Sequence, residues 1–319
     1  MSKNGNSNKV ICLFGGTGFL GRNLLRPLCE LGYRIKIATR NPFQRGYRLK
    51  TQSDPGQIEL FKVDINNPDE VKRFLNGSFA VINLCGILFQ NSKQKFSKVH
   101  TDWPYLLSNL CNELGVIKRL IHISALGVKE NHKSLYMSSK LQGEKLLAEN
   151  FKSSIILRPG ICVGPGDRFL TRFASIANIS PILPIIGNGK QKLSIIYVHD
   201  VCKAIVKVLE LNNLEPKIFE LGNEIYTFKE LMEILLKEIK KKRLLLNIPF
   251  SIAKFPVSYF LQLFPNPIIS VDQVEILKHS NVVSGNYPGI KNLGISGTAL
   301  KNILPKYLSR FRSPYDTVI

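Results

Sequence analysis

Gly15-Gly16-Thr17-Gly18-Phe19-Leu20-Gly21 is the stretch that decides the fold, because of what stands on either side of it. Residues 9–14 before it form a short apolar run, and residues 19–31 carry apolar side chains at helical spacing. Residues 33–39 then have the apolar composition of a second strand. The stretch is therefore predicted to be the tight turn of a β-turn-α-β unit.

The same alternation of strands and helices continues along the chain. Further strands are predicted at residues 58–63, 80–84, 119–123, 154–157 and 193–198, and helices at residues 68–75, 101–114, 138–149 and 201–211. Residues 80–84 are nearly all apolar, which predicts burial on both faces, as in a parallel sheet covered by helices. We therefore expect an α/β fold with a Rossmann-type doubly wound parallel sheet.

The three spaced glycines predict a phosphate-binding turn. Gly15 would make the turn, Gly18 would let the backbone approach a pyrophosphate, and Gly21 would let the helix pack closely on the sheet. The N–H groups at the start of the helix would face the phosphates, with Thr17, Phe19 and Leu20 completing the cradle. The alternative is a tight turn that holds no ligand.

Arg40 follows the second strand, at the position where an acidic residue usually accepts hydrogen bonds from the adenosine ribose. A guanidinium there suits a 2′-phosphate, so NADP(H) is favoured as the cofactor over NAD(H). The alternative for Arg40 is an ordinary solvated arginine.

Composition limits the other classes of function. The chain has 319 residues and a formal net charge of +21, which favours anionic partners. Because its basic residues are spread out and not interleaved with aromatic residues, no nucleic-acid partner is expected. Its six cysteines stand singly and suggest neither a metal site nor a disulfide framework. With a polar start and no spanning run, the protein is expected to be cytoplasmic.

The glycine turn and four further stretches together resemble the extended and atypical short-chain dehydrogenase/reductase superfamily. The resemblance implies that Asp64 and Ile65 cradle adenine and that Leu84 and Gly86, in Asn83-Leu84-Cys85-Gly86, line the cofactor. It also identifies Tyr136-Met137-Ser138-Ser139-Lys140 as the Y-x-x-x-K motif. Pro159, in Arg158-Pro159-Gly160, would stand beside the nicotinamide.

Two interpretations of the motif remain open. Tyr136 and Lys140, at i and i+4 on a helix, share a face, so the ammonium would lower the pKa of the phenol. In active members of the superfamily this phenol is the general acid/base, helped by a hydroxyl residue for which Ser124 is the candidate. The catalytic hydroxyl of many extended enzymes aligns nearer Ala125, however, and His100 replaces a usual asparagine. Tyr136, Lys140 and Ser124 therefore either catalyse hydride chemistry or only bind the cofactor.

A closer resemblance covers nearly the whole chain. Its motifs include Asn83 to Phe89, His122 to Gly127, Asp167-Arg168-Phe169, Tyr197 to Val201, Ser270 to Leu277, and the ending from Gly294 to Leu308. They are similar to those of the nucleotide-binding accessory subunit family of respiratory complex I, NADH:ubiquinone oxidoreductase, in a bacterial-length form. This implies a tightly held NADP(H), a structural or assembly role at the peripheral arm of complex I, and little or no hydride turnover. The alternative is a soluble NADP-dependent reductase or sugar-nucleotide epimerase/dehydratase.

The second half of the chain has a less regular pattern. Residues 1–168 are expected to form the NAD(P)-binding domain, and residues 169–319 a mixed region. In it, final Rossmann elements are placed at about 193–226 and a small C-terminal substrate lobe at 169–192 and 227–319. Residues 251–264 are apolar and follow four basic residues, Lys240 to Arg243. They are expected to roof the substrate cleft, or else to rest on an anionic surface at the inner face of the cytoplasmic membrane.

Overall fold

The computed structural model describes residues 5–92, 94–211, 217–252 and 270–313. Its centre is a seven-stranded sheet in which every pair of neighbouring strands is parallel. The strands are β1 (Val10–Phe14), β2 (Arg34–Thr39), β3 (Ile58–Lys62), β4 (Ala80–Asn83), β5 (Arg119–Ile123), β6 (Ser154–Pro159) and β10 (Ile218–Leu221). Their spatial order is β3-β2-β1-β4-β5-β6-β10, so the order reverses between β1 and β4. The expected Rossmann-type fold is confirmed.

Helices cover both faces of this sheet. They are α1 (Phe19–Glu30), α2 (Pro42–Arg45), α3 (Pro68–Leu75), α4 (Trp103–Leu114), α5 (Leu135–Asn150) and α7 (Val198–Glu210). Alternate residues of β1 show the two-sided burial, since Ile11 and Leu13 belong to one apolar core while Cys12 and Phe14 belong to another. Both cores are needed because a parallel strand presents side chains to each face in turn.

A second layer is built from the remaining elements. Strands β7 (Ile161–Val163), β9 (Lys192–Tyr197) and β11 (Glu224–Thr227) form a three-stranded sheet, and β8 (Ile182–Ile186) pairs with β12 (Leu244–Ile248). Helices α6 (Leu170–Ile179), α8 (Phe228–Glu238), α9 (Phe250–Ile252), α10 (Val271–Ile276), α11 (Leu300–Ile303) and α12 (Pro305–Leu308) accompany them. Most of these elements share a third apolar core.

One expectation about the main sheet is corrected. The strand predicted at residues 193–198 is not part of that sheet, because β9 pairs with β7 and, antiparallel, with β11. Only α7 and β10 from the range 193–226 complete the Rossmann layer. The domain boundary at residue 168 itself stays a prediction.

The segment expected to cover the cleft or contact a membrane lies mostly outside the described residues, which stop at residue 252 and resume at residue 270. Within the described ranges, every helix is too short or too polar to span a lipid bilayer. All six cysteines are free thiols. Four of them are buried, and Cys85 and Cys162 are partly exposed.

Candidate nucleotide-binding site

The glycine turn lies where the strand order of the main sheet reverses. Gly15 has a φ of +79°, and a Cβ atom there would come within 3.0 Å of the Leu84 backbone that follows β4. At Gly21 an added Cβ would come within 2.5 Å of the Gly16 Cα. Side chains at these two positions would therefore push the turn away from β4 and α1 away from the turn, as expected for a close-packed crevice at a topological switch point.

The first turn of α1 is open to an anion. Gly18 caps the helix without a side-chain hydrogen bond, and no acidic residue stands in the first turn. Phe19 and Leu20 are half-buried and pack against the apolar core, so their side chains anchor the turn from below. Backbone N–H groups at a helix start bind phosphate well, because they lack partners within the helix and lie at its positive end. The residues present therefore fit the pyrophosphate of a dinucleotide.

Arg40 and Asp64 lie at the carboxyl ends of the neighbouring strands β2 and β3. Arg40 is exposed just after β2. Burial raises the pKa of the Cys85 thiol beyond β4 to about 11, and the charges of Lys140 and Arg40 partly oppose that rise. Asp64 is exposed after β3, and its Oδ1 accepts hydrogen bonds from the backbone and side-chain nitrogens of Asn66, at 2.9 and 2.8 Å. Ile65 is half-buried against the core. The roles proposed for these three residues stay predictions.

Lys140 is anchored at the centre of the crevice. Its Nζ donates a hydrogen bond of 2.9 Å to the carbonyl oxygen of Ile123, the last residue of β5. A Cβ atom on Gly86 would come within 3.4 Å of this Nζ, so the loop after β4 lies against the ammonium. Burial lowers the pKa of Lys140 to about 8, which leaves the group mostly charged at neutral pH. It can therefore still donate hydrogen bonds to ribose hydroxyls.

Tyr136 lies one helical turn before Lys140. Burial, followed by the charges of Cys162 and Asp272, raises the pKa of its phenol well above the ordinary value. This is opposite to the lowering expected from Lys140, because the cost of removing the phenolate from water is the largest effect on this pKa. The phenol is thus held in its protonated form.

His100 takes part in a chain of hydrogen bonds that sequence reasoning missed. It lies in a turn of π-helix, Ser97–Asp102, which leads into α4. Its Nε2 accepts from the backbone N–H of Ile87 at 3.0 Å, so Nδ1 carries the hydrogen and donates to Ser139 Oγ at 3.1 Å. The Ser139 hydroxyl donates in turn to the Tyr136 carbonyl at 2.9 Å. Burial and the charge of Lys140 lower the pKa of His100 to about 2, so the ring stays neutral.

Ser124 directly follows β5, and Pro159 is the last residue of the neighbouring strand β6. The Ser124 Oγ is buried and has no hydrogen-bond partner among the described residues. Pro159 is buried at the end of β6, and its carbonyl accepts from the Leu126 N–H at 2.9 Å. A buried hydroxyl without a hydrogen-bond partner costs free energy. Such a hydroxyl is typical of a site where a bound ligand supplies the missing partner.

Asp272 connects the C-terminal part of the chain to the helix that carries Tyr136. Its Oδ2 accepts from Ser134 Oγ at 2.7 Å and from the Tyr136 N–H at 3.1 Å, and its Oδ1 accepts from the Leu135 N–H at 2.8 Å. The carboxylate thus caps α5 from a position far along the chain. Beside it, Ser270 and Gln273 form the capping box that begins α10.

The change Asp272→Ala is expected to lower the free energy of unfolding by about 1–2 kcal/mol, because the first turn of α5 loses its charged cap. Denaturant unfolding measures the loss. Glu149→Ala is the matched control, because Glu149 is exposed near the other end of α5 and is expected to cost nothing. Equal losses in the two variants would show that the cap contributes no specific stability.

A buried ion pair joins α5 to strand β6 of the main sheet. Arg158 on β6 and Glu144 on α5 have side chains only 6% and 3% exposed, with Arg158 Nη2 at 2.6 Å from Glu144 Oε2. The Arg158 Nε also donates to Glu144 Oε1, at 3.1 Å, and the guanidinium carbon lies 4.8 Å from the centre of the Tyr287 ring. Because Glu144 stands one turn after Lys140, its charge also raises the pKa of that ammonium.

Comparison of the sequence with known protein families shows which family the chain belongs to. Residues 11–222 match the NAD dependent epimerase/dehydratase family. The chain therefore belongs to this family, and the superfamily resemblance is confirmed.

Within this family, the chain is similar over nearly its whole length to subunits of respiratory complex I. The chain is 30% identical over 313 residues to the mitochondrial "NADH dehydrogenase [ubiquinone] 1 alpha subcomplex subunit 9" of Mus musculus, covering 96% of this chain and 81% of the relative. It is 29% identical over 316 residues to the protein of that description in Arabidopsis thaliana, with coverages of 96% and 79%. A "Ceramide reductase" of Caulobacter vibrioides is 26% identical over 245 residues, with coverages of 75% and 74%.

Solved structures support the fold. A dTDP-glucose 4,6-dehydratase from Streptomyces venezuelae, described with NAD and TYD bound, superimposes with a TM-score of 0.71 at 16% identity. The alignment covers 95% of this chain and 96% of the dehydratase. At this identity the likeness shows the Rossmann-type architecture alone.

Proposed function

We propose that the protein is a nucleotide-binding accessory subunit of the complex I type, which holds NADP(H) for structure or assembly with little or no hydride turnover. The observation that carries this proposal is the similarity to subunit 9 proteins, which spans 96% of the chain and includes the C-terminal part. The match to the epimerase/dehydratase family model, by comparison, covers only residues 11–222.

The geometry of the site supports a role in binding the cofactor without hydride turnover. The phenol of Tyr136 is protonated, with a raised pKa, and the Lys140 ammonium is tied to the Ile123 carbonyl. The bound nicotinamide would supply hydride chemistry. The chain's own residues would bind the pyrophosphate at Gly15 to Gly21, receive the 2′-phosphate at Arg40, and donate from Lys140 to the ribose.

Purification of the native protein tests this proposal. After mild detergent extraction, the protein is expected to migrate with complex I in native gels and to release NADPH on denaturation, at about one per chain by analogy with a single-site Rossmann domain. A free monomer that carries no nucleotide, or that turns over a carbonyl substrate, would defeat it. A peripheral place on the inner face of the cytoplasmic membrane fits this proposal, but an anionic membrane contact stays a prediction.

A second candidate is a soluble NADP-dependent reductase or sugar-nucleotide epimerase/dehydratase. The observation that favours it is the buried Ser124 hydroxyl, which has no partner among the described residues and directly follows Ile123, the residue whose carbonyl binds Lys140. In such an enzyme Ser124 would hold the substrate oxygen and Tyr136 would transfer the proton. Turnover that is abolished by Tyr136→Phe would establish this candidate over the first.

The preference for NADP(H) is tested at Arg40. Arg40→Asp is expected to weaken NADPH binding by about tenfold or more, because a charge-assisted contact of about 1.5–3 kcal/mol is replaced by repulsion. NADH binding should change little, since NADH has no 2′-phosphate. Titration followed by nicotinamide fluorescence measures both. Equal losses for the two dinucleotides would contradict the role given to Arg40.

A further inference from the structure

Two histidines meet where the loop before α5 contacts the segment that follows α10. The rings of His132 and His279 lie edge to face, with their centres 6.0 Å apart. His132 is half-buried in the loop, and His279 is exposed just beyond the end of α10. The contact therefore joins the helix that carries Tyr136 to a part of the chain far away in sequence.

His132 makes a hydrogen bond that depends on its protonation state. Its Nδ1 accepts from the Ser134 N–H at 2.9 Å, so the hydrogen of the neutral ring is on Nε2. A second proton goes to Nδ1, which then becomes a donor and can no longer accept. The Ser134 N–H would then face another N–H. Protonation of His132 therefore breaks the contact that fixes the chain just before α5.

Asp272 holds the next residues of the same stretch. Its carboxylate accepts from the Ser134 hydroxyl and from the backbone N–H groups of Leu135 and Tyr136. His132 and Asp272 thus bind the N–H groups of three successive residues, so a displacement of Ser134 disturbs the bonds to Asp272. The position of Tyr136 in the first turn of α5 consequently depends on both contacts.

Four charged or titratable side chains act on the ring of His132: Lys129 from the same loop, Asp272 and Glu275 from α10, and His279 beyond it. Burial lowers the pKa of His132 most, Lys129 and His279 lower it further, and the two carboxylates oppose the fall. One of these carboxylates, Glu275, is already paired with Lys278 at 2.8 Å. Because a free histidine has a pKa of about 6.5, the ring binds a proton more readily once it leaves this contact, so acid below about pH 6.5 favours separation.

We propose that residues 132–136 and 272–279 form a pH-sensitive clasp, which is closed at neutral pH and opens when His132 gains a proton. The closed clasp holds the first turn of α5, and with it Tyr136, against the C-terminal part of the chain. Opening releases that turn from α10. The consequence for the cofactor rests on the proposed function: a released Tyr136 weakens dinucleotide binding in acid.

His132→Asn separates the proton from the contact. The side-chain oxygen of asparagine accepts from the N–H two residues further on, as Nδ1 of His132 does, but asparagine does not titrate. Hydrogen exchange of the peptide that carries Leu135 and Tyr136 follows the clasp in the full-length, nucleotide-free protein. The ratio of the wild-type exchange rate to the variant rate at one pH cancels the intrinsic effect of pH. It is expected to rise about fivefold between about pH 7.5 and about pH 5.5, as for the loss of one hydrogen bond.

Two further variants sharpen this measurement. Lys133→Asn is the matched control, because Lys133 is exposed beside His132 and its replacement should leave the acid response of the wild type unchanged. His279→Gln should reduce that response without abolishing it, since the repelling ring is removed while the Nδ1 contact stays. Because His279 is exposed, this variant tests the clasp even where His132→Asn fails to fold.

The outcomes separate the clasp from the proposed function. An acid response that is the same in the wild type, His132→Asn and His279→Gln overturns the clasp. A clasp that opens in acid in a protein that binds neither NADPH nor NADH stands, while the proposed function fails. Where NADPH binds, the wild type should lose about fivefold more affinity than His132→Asn over the same pH range. Equal losses would overturn the link between the clasp and the cofactor.

Discussion

Glu144→Gln is expected to lower the free energy of unfolding by about 3 kcal/mol or more, because it leaves the buried Arg158 guanidinium without its counter-charge. The Arg158 side chain is only 6% exposed, so water cannot replace the lost carboxylate. Glutamine preserves the side-chain volume, which separates the loss of charge from the creation of a cavity. Urea unfolding at neutral pH measures the change.

The same substitution is expected to weaken dinucleotide binding. The Glu144 carboxylate raises the pKa of Lys140, which burial has already lowered to about 8. Without that carboxylate the pKa falls further, so Lys140 loses its proton at neutral pH and no longer offers a charged donor to the ribose. The loss of affinity should therefore be larger at pH 8 than at pH 6, provided that the protein remains folded.

Lys145→Gln is the matched control for Glu144→Gln. Lys145 is the next residue on α5, and its side chain pairs with that of Glu130 while 53% exposed. Because exposed ion pairs stabilise a protein by only about 0–1 kcal/mol, the control should change the free energy of unfolding very little. A comparable loss in both variants would show that the Arg158–Glu144 pair adds nothing beyond a surface contact.

Gly143→Ala is expected to destabilise the protein by about 3 kcal/mol through overpacking. A Cβ atom on Gly143 would overlap the carbonyl oxygen of His100, which is backbone and cannot rotate away. In a helix free of such contacts the change would stabilise by about 1 kcal/mol, because alanine favours helix more than glycine does. The sign of the effect therefore reports the contact between α5 and the π-helical turn.

Thermal unfolding of Gly143→Ala, compared with Gln142→Ala, measures this effect. Gln142 is exposed on the same helix and its substitution should change little. Because the overlap would displace the π-helical turn, the hydrogen bond from Ile87 to His100 should weaken and dinucleotide affinity should fall with it. An unchanged or higher melting temperature for Gly143→Ala would show that the two segments do not approach closely in solution.

Elements with local signals agree best with the sequence predictions. The helix Pro68–Leu75 and the strand Arg119–Ile123 have the predicted bounds. For the helix, Asn67 caps the start by accepting from the N–H groups of Asp69 and Glu70, and proline stands at the first helical position. Each of these signals lies within a few residues of the boundary it sets.

Features set by distant contacts were predicted poorly. Helix α5 begins at Leu135 and not at residue 138, since part of its cap is Asp272, which comes from α10. The turn Ser97–Asp102 is π-helical, and neither its hydrogen bonds nor the orientation of His100 follows from residue spacing. The pairing of β9 with β11 likewise depends on the tertiary fold. The spacing of the Y-x-x-x-K motif predicts that Tyr136 and Lys140 share a helix face, although the helix predicted from periodicity begins after Tyr136, and the raised pKa of the phenol is not predicted at all.

Residues 290–298 pack against the apolar core on one face of the main sheet. Ile290, Leu293 and Ile295 are buried with side chains of β1 and α7. Further along, the Thr298 N–H donates to the buried Asp200 carboxylate at 2.7 Å. During synthesis, the sheet that binds the nucleotide therefore exposes part of its apolar surface until residues near position 298 have left the ribosome. The two halves should consequently reach their native state together after translation, and nucleotide binding should follow chain completion.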